Sequence, residues 1–236
     1  MESIIIQDTY LTNCDCMSKE LVINLPINQK YIFNVIDLKR FIFLQRITWD
    51  CGVRDESVKI SKILNVSVLL EYFDFTMCNL IDIDNLQNCH LLKYIDVSMN
   101  IIKSLEKIPM FVETLIVNNN LITSLDNLPP NIKLLNCSYN KILKLDNLPE
   151  NLEILDCCNN LITLLDNLPP RLKKLSCSYN SITNLKNLPT GIIYLDCGFN
   201  SIGNLDWLPS GIEILCSNGN FIKTYENIPK IKMVFK

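Results

Sequence analysis

The chain has 236 residues, of which 48% are hydrophobic and 20% are charged, so it is long and apolar enough to fold around its own core. Its formal net charge of -3 excludes the strongly basic surface of a general nucleic-acid-binding protein, and we expect no nucleic-acid partner. One histidine, six glycines and no phosphate-loop motif leave no recognisable catalytic set. We therefore expect no enzyme activity, no catalytic residue and no cofactor.

The N-terminal segment predicts neither export nor membrane insertion. Its apolar run, Ile4–Ile6, is followed directly by Asp8, whereas a secretory signal has roughly 7–15 apolar residues. No stretch approaches the ~18 consecutive apolar residues of a membrane span, so we expect no membrane partner. The 11 cysteines are an odd number without an export signal, which indicates reduced thiols and an intracellular protein.

Residues 1–66 are rich in Ile, Val, Phe and Leu and lack the period found later in the chain. One interpretation is a cap that covers the first coil of a repeat array, with a degenerate repeat at Leu44, Ile47 and Trp49. A cap is needed because the end of such an array would otherwise expose its core.

The sharper alternative for this segment is an F-box-like adaptor, a small helical motif that recruits a ubiquitin ligase. Its residues would be Leu25-Pro26, Asp37-Leu38 and Trp49. The β-branched residues that dominate where its helices would lie favour strands and hence the cap.

Residues 67–236 carry a 20-residue repeat, LxxLxCxxNxIxxLDNLPxx. An irregular copy, beginning at Leu70, has Cys78 in the asparagine position, 22 residues before the first regular asparagine. The regular copies place asparagine at Asn100, Asn120, Asn140, Asn160, Asn180, Asn200 and Asn220. This is the leucine-rich repeat pattern, and it predicts about eight coils with a truncated final coil.

Each repeat predicts one coil of a solenoid. The segment LxxLxCx predicts a short strand with inward side chains at alternate positions, paired in parallel with its neighbours. The asparagine amide is expected to bond backbone groups at the turn. The half-coil LDNLP is too short for a normal helix, so we expect turns, polyproline-II or 3-10 segments there, with Asx turns at Asp126, Asp146, Asp166 and Asp206. The fold class is an α/β-type solenoid, mostly β, with the strands on the concave face.

One strand position supports this register by its charge pattern. It is occupied in turn by Lys93, Glu113, Lys133, Glu153, Lys173, Ile193 and Glu213. Opposite charges on adjacent strands stabilise their pairing by about 0.2–1 kcal/mol, so this row is expected to tie neighbouring coils together.

The repeat resembles two known groups of the 20-residue Leu-Pro class. Segments 135–149 (LNCSYNKILKLDNLP) and 155–169 (LDCCNNLITLLDNLP) are similar to leucine-rich repeats of bacterial effectors, and more closely to those of giant DNA viruses of amoebae. The resemblance covers residues 68–236. It implies the solenoid fold and, for a viral protein, a location in the host cytoplasm.

The concave face is the candidate binding surface, because every strand contributes outward side chains to it. We expect the binding residues to be Tyr94, Asp96, Tyr139, Asp156, Tyr179, Tyr194, Asp196 and Phe199. Aromatic and acidic side chains together favour a protein partner, although outward aromatic residues also simply suit strands. The predicted function is a monomeric, non-enzymatic protein-interaction scaffold. The alternatives are a ubiquitin-ligase adaptor and a structural or virion protein.

Two further expectations concern the cysteines and the last coil. Cys137, Cys157, Cys177 and Cys197 form a linear array, which cannot converge on one ion, so we expect buried thiols and no metal. Cys158 is expected to point outward and to react. In the last coil, the period places Lys232 in an apolar position and Phe235 in the central leucine position.

Overall fold

The computed structural model describes residues 5–6, 17–24, 35–39, 41–50, 60, 62–226 and 228–236. The chain forms two compact units, residues 1–121 (unit 1) and 122–236 (unit 2). The described elements are short parallel strands and a single 3-10 turn, Asp84–Leu86, so the predicted β-solenoid with almost no helix is confirmed.

Unit 1 contains two sheets in which every pairing is parallel. Its strands are β1 (Ile5–Ile6), β2 (Glu20–Asn24), β3 (Val35–Asp37), β4 (Arg46–Asp50), β5 (Lys62–Leu64), β6 (Tyr72–Phe75), β7 (Tyr94–Asp96) and β8 (Thr114–Ile116). The larger sheet runs β2-β4-β6-β7-β8, and the smaller runs β1-β3-β5.

The coils of unit 1 differ in length. Leu21, Ile47 and Phe73 share one register position although they are 26 residues apart, whereas Ile95 follows Phe73 after 22. The longer coils enclose aromatic side chains, and the buried Trp49 stacks on Phe75 with 5.9 Å between ring centroids. β2 and β4 pair with β6 in one sheet across residue 67, and a domain boundary at that residue stays a prediction.

Unit 2 is regular. Its strands are β9 (Leu134–Asn136), β10 (Ile154–Asp156), β11 (Lys174–Ser176), β12 (Tyr194–Asp196), β13 (Ile214–Cys216) and β14 (Met233–Phe235), and they pair in this order. The central leucines of β9 to β13 are at most 1% exposed. Burying each leucine side chain contributes about 1.5–3 kcal/mol.

The last coil differs from the sequence-based prediction by one residue. Leu215 is in register with Val234, so Phe235 is not in the central position, and its side chain is half exposed. The error arose because this coil is one residue shorter than the repeat. Lys232 therefore lies in the charged row rather than in an apolar position, and its Nζ is 2.8 Å from Oε1 of Glu213.

The charged row also ties two other coils of unit 2 together. Nζ of Lys173 is 2.7 Å from Oε2 of Glu153, and this contact lowers the pKa of the Glu153 carboxyl. Since both side chains are exposed, the pair contributes little to stability and serves mainly to keep neighbouring coils in register.

The LDNLP half-coils of unit 2 are linked by a second ladder. Nδ2 of Asn147 donates to Oδ1 of Asp126 at 3.1 Å, and the same bond joins Asn167 to Asp146 at 3.2 Å and Asn187 to Asp166 at 2.9 Å. These carboxylates therefore accept hydrogen bonds from the next coil, and the local Asx turns expected at Asp126, Asp146, Asp166 and Asp206 stay a prediction. One coil further, Lys186 and Trp207 replace the Asp–Asn pair, with Nζ 5.5 Å from the ring centroid.

Candidate protein-interaction surface

The asparagine ladder sets the turn that follows each strand. Nδ2 of Asn160 donates to the carbonyls of Cys137, Cys157 and Cys158 at 3.0–3.2 Å, and its Oδ1 accepts from N of Ile142 at 2.9 Å. The side chain is 7% exposed and bonds two coils at once. Within each unit, equivalent bonds are made at Asn100, Asn120, Asn140, Asn180, Asn200 and Asn220.

The side chains beside the central leucine point away from the core and form what we call the outer sheet face of each unit. In a typical strand the middle residue is buried and its two neighbours are half exposed. The structure places Tyr94 and Asp96 on this face in unit 1. It places Asp156, Tyr194 and Asp196 on this face in unit 2.

The acidic side chains on this face close local turns. Oδ1 of Asp96 accepts from N of Ser98 at 2.9 Å, and Oδ1 of Asp156 accepts from N of Cys158 at 3.0 Å. Asp196 makes the same bond to N of Gly198 at 3.1 Å. Asx-type bonds therefore lie at the ends of these strands, and two more lie in half-coils, where Oδ1 of Asn184 accepts from N of Lys186 at 3.1 Å and Oδ1 of Asn204 accepts from N of Asp206 at 3.3 Å.

Three exposed aromatic side chains lie beyond the strands, each one residue before a ladder asparagine. Tyr139, Tyr179 and Phe199 have left-handed φ values of 53°, 55° and 52°, and they are 54%, 51% and 44% exposed. The idea that these aromatic residues merely suit strands is thus wrong for all three. Other coils fill this position with Met99, Asn119, Asn159 and Gly219, of which the asparagines and the glycine tolerate left-handed backbone.

Two of these aromatic rings stack on each other. The Tyr179 and Phe199 centroids are 4.3 Å apart with an angle of 9° between the ring planes. Gly219 makes room for this pair, because a Cβ at that position would lie 2.6 Å from Cδ1 of Phe199. Unit 2 therefore presents a flat aromatic platform at one end of its strands.

Unit 1 has a different aromatic cluster on its outer sheet face. Tyr72 and Tyr94 stack with centroids 4.2 Å apart and planes within 5°, and Cζ of Arg46 lies 3.5 Å from the Tyr72 centroid. The repeat pattern predicted Tyr94 as a binding residue but neither Arg46 nor Tyr72. Arg46 belongs to a 26-residue coil, so the 20-residue period could not identify it. Tyr72 could have been predicted from its position next to Phe73 in the irregular repeat.

No family model and no curated protein matches the sequence. Among solved structures, YopM from Yersinia pestis, a leucine-rich effector protein, has a TM-score of 0.74 and 26% identity over 88% of this chain and 58% of its own. The leucine-rich repeat domain of APL1B has a TM-score of 0.65 and 20% identity over 86% and 62% of the two chains. The chain has the leucine-rich repeat fold.

A third leucine-rich repeat neighbour is InlJ from Listeria monocytogenes, whose functional domain includes a cysteine ladder. It has a TM-score of 0.64 and 24% identity over 80% of this chain and 42% of its own. The chain therefore spans 42–62% of the length of these three proteins. The resemblance to leucine-rich effectors is supported by these neighbours, whereas the resemblance to viral proteins stays a prediction.

Four cysteines of this leucine-rich repeat, Cys137, Cys157, Cys177 and Cys197, lie in the core of unit 2. Burial raises the pKa of the Cys137, Cys157 and Cys177 thiols, and it raises that of Cys197 to about 12. Cys158 is half buried and its Sγ accepts from Oγ of Ser178 at 3.1 Å. Burial raises its pKa to about 12, so the structure argues against the reactivity expected of Cys158.

The N-terminal segment bears on the adaptor hypothesis. Asp37 ends strand β3 and Trp49 lies in strand β4, whereas an F-box is helical, and Leu25 and Pro26 lie outside the described residues.

In the part of the chain that the structure describes, no helix is long and apolar enough to span a bilayer. In that same part, no three histidine, cysteine or acidic side chains gather closely enough to hold a metal ion.

Proposed function

We propose that the chain is a non-enzymatic scaffold that binds a protein partner through its outer sheet face and the aromatic side chains that follow the strands of unit 2. The observation that carries this proposal is the set of exposed aromatic residues at left-handed positions, Tyr139, Tyr179 and Phe199. Backbone of this kind costs a non-glycine residue roughly 1–3 kcal/mol. Since half-exposed rings recover only part of this cost by burial, their presence supports a role in binding rather than in folding.

The stacked pair Tyr179–Phe199 is the expected centre of the interface. Aromatic side chains on rigid backbone contribute large contact area at a small loss of conformational entropy, which is why they dominate binding hot spots. Tyr194 and Asp196 lie on the strand that leads to Phe199, so they extend the platform with a second ring and a carboxylate. Their position supports a partner that lies across several strands.

The experiment replaces both rings of the pair with the residue that other coils use at the same position. Tyr179→Asn/Phe199→Asn keeps the left-handed backbone, so the melting temperature should not fall. Immobilised full-length chain should capture a defined set of proteins, quantified by mass spectrometry, and this double variant should lose them.

The matched control removes apolar side chains of similar exposure elsewhere in unit 2. Leu143→Asn/Leu164→Asn should retain the captured proteins, because these leucines, 58% and 51% exposed, lie outside the outer sheet face. Capture that survives the aromatic substitutions, or that is lost equally in the control, would contradict the proposal.

The same capture experiment separates the alternatives. A ubiquitin-ligase adaptor should capture ligase components and lose them when residues 1–66 are removed, whereas a structural protein should capture chiefly itself. We further propose that the chain is intracellular and monomeric, because its sequence carries an odd number of cysteines, 11, and a net negative charge. Light scattering of the purified chain tests the monomer.

A further inference from the structure

The outer sheet face of unit 1 holds a stack that already includes one cation. Arg46, Tyr72 and Tyr94 come from the adjacent strands β4, β6 and β7, in the order in which those strands pair. The guanidinium of Arg46 covers one face of Tyr72, and Tyr94 covers the other. A cation over an aromatic face is stabilised by about 0.5–2 kcal/mol, so the surface uses this interaction within the chain.

The stack stops at Tyr94. The next strand, β8, places Thr114 in register with Tyr94, and its short side chain cannot continue a stack of rings. Since Tyr72 covers one face of Tyr94, the other face points toward the space above Thr114. A guanidinium in that space would lie over the ring of Tyr94 as the guanidinium of Arg46 lies over the ring of Tyr72.

One carboxylate, that of Asp96, is on the strand next to this space, and a second, that of Asp74, is one strand further away. Asp74 on β6 and Asp96 on β7 are in register, so their backbones are about 4.8 Å apart, and both lie two residues beyond the stacked tyrosines. No described residue forms an ion pair with either carboxylate. Burial and the charge of Asp96 raise the pKa of Asp74, although hydrogen bonding to Thr76 acts in the opposite direction.

From this arrangement we infer that unit 1 binds an arginine side chain of the partner, with its guanidinium on the open face of Tyr94 above Thr114 and beside Asp96. Arginine fits better than lysine because a planar guanidinium both stacks on a ring and bonds a carboxylate. The inference rests on the proposed function, since it specifies the chemistry of the partner. The partner segment is basic, which complements the unpaired charges of Asp74 and Asp96.

The experiment uses the full chain and two synthetic peptides of glycine and serine, capped at both ends. One peptide carries arginine at two alternate positions, and the other carries glutamine at the same positions. Titration followed by NMR should give tighter binding of the arginine peptide by about tenfold, with shifts in the Tyr94 ring resonances. Equal binding of the two peptides would overturn the inference.

Two variants locate the site. Asp96→Asn keeps an oxygen that can accept from N of Ser98 but removes the charge. Thr114→Phe fills the space above residue 114, next to the open face of Tyr94, without changing the charge. Each should weaken binding of the arginine peptide about fivefold or more. Melting curves show whether each variant is folded.

The control for general electrostatic attraction is Asp196→Asn. Asp196 makes the same turn bond in unit 2, to N of Gly198, but does not border the unit 1 stack. It should change binding less than twofold. Equal weakening by Asp96→Asn and Asp196→Asn, or no weakening by Thr114→Phe, would overturn the assignment to Tyr94. Because the peptide and the variants differ from those used for the aromatic platform, the two proposals fail independently.

Discussion

The two units solve the same packing problem with different coils. In unit 2, strands β9 to β13 recur every 20 residues, and a cysteine such as Cys157 fills the core position two residues after the central leucine. In unit 1, that position holds Phe75 in the irregular coil and Val97 in the next, and the preceding coils are 26 residues long. Longer coils enclose more space, and larger side chains fill it.

Equal or unequal coil lengths determine which residues can fill the core of each unit. When every coil has the same length, one small residue type suits every core position and the coils stack in register. When the lengths differ, each coil needs its own core residue, because interiors are packed densely and leave few voids. The variants below exchange features between the units, in order from the largest expected effect to the smallest.

The largest effect should come from giving unit 1 the core residue of unit 2. Phe75→Cys removes a ring that is fully buried and that stacks on Phe73 at 4.8 Å. The cavity should lower the free energy of unfolding by about 3–5 kcal/mol, measured by urea denaturation. Val97→Cys changes the same position where the side chain is already small, and it should cost less than about 1.5 kcal/mol.

Both units should depend on the asparagine ladder to a similar extent. Asn160→Ala in unit 2 and Asn100→Ala in unit 1 each remove a side chain that bonds two coils. Leaving buried backbone groups without partners should cost about 2–3 kcal/mol in each case, measured by the same denaturation. The control is Asn159→Gly, which alters the neighbouring residue outside the ladder and still tolerates its left-handed backbone. A loss below about 1 kcal/mol for Asn160→Ala would show that the ladder is not structural.

A smaller effect of opposite sign is expected at the left-handed positions of unit 2. Tyr139→Asn should stabilise the chain by about 1 kcal/mol, because asparagine tolerates this backbone. Phe199→Asn should gain less, since it also loses the stack on Tyr179. The reverse change, Asn159→Tyr, should destabilise the chain, and thermal melts of all three variants check the order.

The smallest effect should depend on pH and belongs to unit 1. Because the pKa of Asp74 is raised above 3.8 by burial and by Asp96, the folded state disfavours its ionised form. Asp74→Asn should therefore raise the melting temperature at neutral pH. This gain should disappear as the pH falls through the raised pKa and then through 3.8, where the wild-type carboxyl is protonated in both states.

The control for the pH effect is made in the Asp96→Asn background. Removing that neighbouring charge leaves burial as the main cause of the raised pKa. The gain from Asp74→Asn at neutral pH should then be smaller. A gain of the same size at every pH would show that the carboxylate charge is not responsible.

The sequence predicted the fold well wherever the period holds. The spacing of the leucines correctly placed the central residues of β7 to β13, because one repeat length implies one register. The prediction was wrong for β14, where a single missing residue shifts Val234 into the central position. It also left β2 unassigned, since the two 26-residue coils differ in sequence and show no period.

The candidate surface was only partly predictable. Alternation along a strand placed Asp156 and Tyr194 on the outer sheet face, because side-chain direction in a strand follows position alone. The left-handed backbone at Tyr139 could not be predicted from the aromatic residue, which disfavours it. Its signal was the Asn119, Asn159 and Gly219 at the same position in other coils. The contact of Arg46 with Tyr72 depends on pairing between coils of unequal length, which periodicity does not reveal.

The Asp–Asn ladder of unit 2 determines which coils can be duplicated or exchanged. A coil that carries Asp146 and Asn147 presents an acceptor to the next coil and a donor to the previous one, so extra copies of it would still match both neighbours. The coils that carry Lys186 and Trp207 match only each other across their shared boundary. A chain lengthened by gene duplication or by design can therefore gain further coils of the Asp–Asn type. The two coils that carry Lys186 and Trp207 must stay next to each other to keep their contact.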